Sequence, residues 1–145
     1  MTLVELLVIL GVIGLILGIS VPGLAGYAKQ MRLSAAARQV IGLVSLARSL
    51  AVSSHEDHAV VLDGEQGEFR VVNTVTGETL ERAVRLPTSV TAEVQMSGET
   101  AEDSRVVFRP TGSLSGGRSV TLVLADRTRR NTVTVNGITG AVSLQ

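Results

Sequence analysis

The residues best placed to do chemistry stand at the start of the chain. Glu5 is the only charged side chain before Lys29, and on a helix it lies about 6 Å along the axis from a chain-terminal amine at Met1. A carboxylate inside an apolar segment of membrane length costs on the order of 2.5–3.5 kcal/mol on insertion scales. Glu5 therefore needs a counter-charge, a proton or a place at the interface. The nearest counter-charge is an N-terminal amine, from the same chain or from a neighbouring copy. The competing reading is a plain signal anchor with its acid at headgroup level.

Other polar groupings carry less. His55-Glu56-Asp57-His58 holds two histidines three apart, which share a metal only on a continuing helix; here helix gives way to strand, and a solvated junction is the better reading. Asp63-Gly64-Glu65-Gln66-Gly67-Glu68 lacks the alternating acids of a calcium loop and reads as a turn. A nucleophile elbow needs strand, sharp turn and helix in that order, whereas the serines and glycines of 112–116 follow a strand broken at Pro110 and precede another strand. Arg127, Arg129 and Arg130, with Arg118, make one basic cluster that could contact phosphates in a salt-sensitive way. No phosphate-cradling glycine motif is present. These readings predict no enzyme, no catalytic residue, no metal and no cofactor.

Composition narrows the class further. The chain has 145 residues, no net formal charge and no Cys, which excludes disulfide scaffolds, thiol chemistry and steering of nucleic acid by a global basic field. Tyr27, Phe69 and Phe108 are the only aromatics, too few for a base-stacking platform. A core must come from Val, Leu, Ile and Ala.

The elements that position Glu5 follow from hydropathy. Leu6 to Ala28 is a run of roughly 23 uncharged residues, and about 20 helical residues cross a hydrocarbon core. Gly14 and Gly18 fit the small-xxx-small pattern of closely packed helices, and Pro22 with Gly23 predicts a kink or a melted turn. Beyond Tyr27 the period stays helical: Leu33, Ala37, Val40, Val44, Ala47 and Ala51 form one small apolar stripe, with Arg38, Ser45 and Ser49 facing away. After His55 the pattern shortens. A hairpin is predicted from Ala59–Leu62 and Phe69–Val72, a further strand within Val75–Leu86, and others at Val90–Met96, Arg105–Arg109, Ser119–Ala125, Thr132–Asn136 and Ala141–Leu144. The predicted class is α+β: a long N-terminal helix, membrane-spanning in its first half and amphipathic in its second, packed against a small antiparallel β domain of two sheets. The boundaries are 1–28 for the transmembrane or filament-core helix, 29–54 for its amphipathic continuation and 55–145 for the β domain.

Thr2-Leu3-Val4-Glu5-Leu6, followed by an unbroken apolar run, resembles the mature N terminus of type IV pilins and type II secretion pseudopilins. Ala47-Arg48-Ser49-Leu50-Ala51 running into Val60-Val61-Leu62, then Val107-Phe108-Arg109-Pro110-Thr111-Gly112, then Val133-Thr134-Val135-Asn136-Gly137-Ile138-Thr139-Gly140-Ala141-Val142 resemble, more diffusely, the H-class minor pseudopilins and their pilus relatives, the GspH/FimT group. The resemblance implies an N-methylated amine at Met1, pairing of Glu5 with that amine in another subunit, and helix opening at Gly14, Gly18 and Pro22 on assembly. It implies other pilins or pseudopilins as partners, and a prepilin peptidase acting on a precursor. The chain would rest in the bacterial inner membrane by a single span, its C-terminal domain in the periplasm, and then enter a pilus or pseudopilus. The positive-inside rule, applied to Lys29 and Arg32, would put that domain in the cytoplasm; in this family a leader removed from the precursor supplies the positive charge instead. The alternative is a minor pilin that binds DNA during transformation through Arg118, Arg127, Arg129 and Arg130, although the neutral end Ala141-Val142-Ser143-Leu144-Gln145 departs from the basic tail of such members.

Overall fold

A computed structural model describes residues 2–80, 83–96, 99–100, 104–127 and 129–145, with residues 20–25, 29 and 99–100 described by backbone alone. One helix, α1, is assigned over Leu3–Ser54. The strands are β1 His58–Asp63, β2 Glu68–Asn73, β3 Val84–Arg85, β4 Thr91–Met96, β5 Glu99–Thr100, β6 Arg105–Phe108, β7 Val120–Ala125, β8 Arg130–Val135 and β9 Val142–Leu144. They form a four-stranded sheet in the order β3-β2-β1-β6 and a five-stranded sheet in the order β5-β4-β7-β8-β9. Every pairing is antiparallel. The predicted α+β class, with one helix on two antiparallel sheets, is what the structure has.

The chain divides at Arg32 and Leu33 into two units. In the first, residues 1–32, the side chains from Leu3 to Ile19 are exposed without exception. In the second, the predicted helical stripe is buried at all six positions, and Ala36 and Leu43 join it. The stripe is wider than a single seam because it meets both sheets: Val60, Phe69, Val71 and Phe108 from one, and Val94, Leu122, Leu124, Val133 and Val135 from the other share its core. Every residue of that core lies at or after Leu33. The second unit therefore carries all the apolar burial it needs to fold by itself.

Helix α1 stops where its backbone groups find other partners. Ser54 Oγ donates to Leu50 O at 2.8 Å and Ser53 Oγ to the same carbonyl at 3.2 Å, and His55 takes a left-handed φ of 59°, the usual exit from a helix. Strands then follow the predicted order with two corrections: β5 pairs with the end of β4 where no strand is predicted, and one predicted strand is shorter. Among the described residues, the strand expected within Val75–Leu86 shrinks to the two residues of β3 and a single bridge between Val72 and Thr79. Asn73 and Gly77 close a turn there, Gly77 N–H donating to Asn73 O at 2.9 Å with φ of 71°, and the turn takes up the residues that would have paired.

Candidate functional site

The first turn of α1 holds Glu5 in a reciprocal cap. Thr2 N–H donates to Glu5 Oε2 at 3.4 Å, and Glu5 N–H donates to Thr2 Oγ1 at 3.3 Å. This is the Thr-x-x-Glu capping box, in which two otherwise unpartnered helix-start donors are satisfied together. The carboxylate thus sits at the positive end of the helix dipole. It remains exposed to an incoming partner. Met1, the amine expected to meet it, lies outside the described residues.

Behind that acid the helix surface is apolar on all sides. Leu3 is 77% exposed, Leu15 68% and Ile19 74%, and at Gly11, Gly14 and Gly18 nothing lies within 4 Å of where a side chain would begin. Such a surface is unstable in water and needs lipid or protein around it. Gly26–Ser54 also has the length and hydropathy to cross a membrane, but many of its apolar side chains are already covered by the sheets, as in the core helix of a folded domain. The side chain of Pro22 lies outside the described residues.

The other candidates separate. His55 is exposed past the helix end, while His58 is buried on β1 with Nδ1 3.1 Å from Glu56 O. They do not share a helical face. Asp63 Oδ1 accepts from Glu65 N–H and Gln66 N–H at 3.1 and 3.0 Å, and Arg70 lies 3.6 Å from Asp63 and 3.5 Å from Glu68; these acids shape and neutralise a turn. Arg127, Arg129 and Arg130 gather at the β7–β8 turn, where Asp126 and Arg129 exchange backbone bonds and Arg127 N–H donates to Asp126 Oδ1 at 2.6 Å. Arg118 does not join them. It precedes the opposite end of β7, with Val120 paired to Val135 and Ala125 to Arg130, so a strand of six residues, about 17 Å at 3.3 Å each, intervenes. The four-arginine surface expected from sequence is a group of three and a distant fourth.

Three segments that looked unrelated in sequence converge. Arg48 Nε donates to Gly112 O at 3.2 Å. Gly140, at φ of 65°, packs so closely that a Cβ there would lie 2.0 Å from Gly112 O and 2.8 Å from Arg48 Nε. Helix, four-stranded sheet and five-stranded sheet are joined at this point, since Gly112 follows β6 and Gly140 precedes β9.

A family model described as "Type II transport protein GspH" matches residues 36–140, well over half of the chain and all three of these segments. The chain belongs to the GspH family. It is a family of structural subunits and not of enzymes. Solved structures with the same fold include the type IV minor pilin FimU of Pseudomonas aeruginosa strain PAO1, at 16% identity and a TM-score of 0.66, over 82% of this chain and 92% of that one. The minor pseudopilin EpsH from the type 2 secretion system of Vibrio cholerae follows at 15% identity and 0.55, over 81% and 95%. Among curated proteins there is no sequence match. The match to GspH begins after the apolar segment, so Thr2 and Glu5 stand on their own geometry. Thr2 is the residue that sequence reasoning missed. Its signal, a Thr three places before a Glu at the head of an apolar run, was there to be read.

Proposed function

We propose that this GspH-family chain is a structural minor pseudopilin, built into the helical filament of a type II secretion pseudopilus or type IV pilus by its N-terminal helix. The observation that carries this is the exposed, wholly apolar helix surface from Leu3 to Ile19 with one capped carboxylate at its head, on a chain whose folded unit is complete without it. Before assembly the segment rests in the inner membrane with the C-terminal domain in the periplasm, after a prepilin peptidase has exposed a Met1 amine that is then methylated. On assembly, neighbouring pilins or pseudopilins replace lipid around it. Glu5 then pairs with the amine of an adjacent subunit, exchanging its long bond to Thr2 N–H for an ion pair with an ammonium. Gly14, Gly18 and Pro22 are the places where the helix yields as subunits approach.

The test is Glu5→Ala in cells that assemble the filament. The variant should accumulate in the membrane at normal levels, with its C-terminal domain as protease-resistant as before, and be depleted from sheared filaments. Undiminished incorporation would remove Glu5 from the mechanism. The DNA-binding alternative gains nothing from the structure, because Arg118 stands apart from the other three arginines.

A further inference from the structure

The two sheets end differently. The outer edge of β6 is covered from within the chain: Ser115 N–H donates to Val107 O at 2.8 Å, Arg109 N–H to Ser113 O at 2.9 Å, and Leu114 bridges Phe108. Among the described residues nothing comparable covers β9. Its inward groups are fixed by the ladder, since Thr132 and Gln145 exchange both backbone bonds at 2.8 Å and Asn136 N–H donates to Ala141 O at 2.8 Å. Antiparallel bonding alternates along a strand. Residues 141, 143 and 145 therefore face β8, and the N–H and C=O of Val142 and Leu144 point outward.

An open edge is normally guarded by a charge, a proline or a bulge, because its backbone is a template for another strand. Ala141-Val142-Ser143-Leu144-Gln145 has no charged side chain and no Pro, and its pairing to β8 runs in register without a bulge.

We propose that β9 pairs antiparallel with β9 of a second copy of this chain, about a two-fold axis at Ser143. In that register Val142 stands opposite the partner's Leu144, and Leu144 opposite the partner's Val142. All outward N–H and C=O groups of both strands meet in four backbone hydrogen bonds, the pattern of two bonded pairs flanking a non-bonded one. A slip of one residue would set outward groups against groups already bonded to β8. The side chains agree with this register. Val142 and Leu144 share a face; Val142 is packed against the core and Leu144 is 45% exposed, so pairing covers Leu144 with the partner's Val142. Ser143 meets its own counterpart on the opposite face.

The contact is well below the roughly 1,000 Å² of a durable interface. It is weak between free domains and strengthens when two copies are confined to one surface, where the effective concentration is high. An isologous contact closes at two copies, so it joins subunits that are not yet in a helical filament. Its membrane setting rests on the assembly reading above, whereas the strand pairing itself is a property of the folded domain and is tested there.

The absence of Cys gives a direct test on residues 33–145, the unit that carries its own core. Across a non-bonded antiparallel pair the Cα atoms lie about 4.5 Å apart, within disulfide range. Under mild oxidation Ser143→Cys should form a covalent dimer several-fold faster than Thr76→Cys, which places a thiol on an exposed turn elsewhere. Val142→Pro removes an outward N–H that β8 does not use, and Leu144→Lys guards the edge with charge. Either, combined with Ser143→Cys, should erase that advantage while circular dichroism shows the domain folded. Equal rates for Ser143→Cys and Thr76→Cys would overturn the proposal, and so would an advantage that survives both edge variants.

Discussion

Gly140 shows how much can depend on a missing side chain. Its φ of 65° is ordinary for glycine and strained for any other residue, and the space a Cβ needs is occupied by Gly112 O and Arg48 Nε. Neither neighbour is free to give way, since one is backbone and the other is held by its bond to that same carbonyl. Gly140→Ala should therefore cost about 3–5 kcal/mol, in the upper range for single substitutions, read as a large fall in the urea midpoint of residues 33–145. Arg48→Ala tests the same point from the helix side. It leaves Gly112 O without its donor, at a cost of roughly 1–3 kcal/mol. Because the two residues touch, the double variant should lose less than the sum of the singles. A strictly additive result would show that the contact carries no coupling.

Two turns repeat one device at the level of elements. Asn73-Thr74-Val75-Thr76-Gly77 and Asn136-Gly137-Ile138-Thr139-Gly140 have the Asn side chain accepting from the backbone N–H groups two and three residues on, at 2.8 and 3.2 Å in the first and 3.0 Å twice in the second. In both, the closing glycine N–H donates to the Asn carbonyl. Asn73 does more, because its Nδ2 also donates to Glu56 Oε2 at 2.5 Å and ties the turn to the segment after the helix. Asn73→Ala should thus destabilise the domain by about 1.5–3 kcal/mol more than Asn136→Ala, the worth of one additional bond to a charged group, as compared by denaturant titration. Equal losses would mean that the Glu56 bond adds nothing. These turns explain what was legible in the sequence. The hairpin after His55 and the strands from Val90 onward, β5 excepted, could be read because β-branched runs and glycine breaks coincide, and the helical stripe because six small apolar residues keep one period. Val75–Leu86 misled because Val75 and Leu80 suggest strand, whereas the Asx turn at Asn73 reverses the chain first. The meeting of Arg48, Gly112 and Gly140 had no local signature at all. It joins residues distant in sequence, and only packing shows that they touch.

At the scale of the molecule, burial assigns different solvents to the two units. Leu33 to Gln145 encloses the whole core, so removing residues 1–32 should leave its unfolding midpoint unchanged to within a few tenths of a kcal/mol, the usual effect of changes remote from a core. The full chain should behave otherwise. An apolar helical surface running from Leu3 to Ile19 leaves water wherever lipid or another such helix is available, so the intact protein is expected in the detergent phase and in membrane pellets while the shortened one is found in the soluble fraction. Inserting charge should separate these properties. Leu10→Lys adds a cost of about 2.5–3.5 kcal/mol to burying the helix in lipid and touches nothing in the core, so membrane retention should fall while the thermal transition of the domain stays where it was. If that substitution instead lowered the transition, the N-terminal segment would be contributing to the folded unit, and an acid-headed helix kept free for other subunits would lose its physical basis.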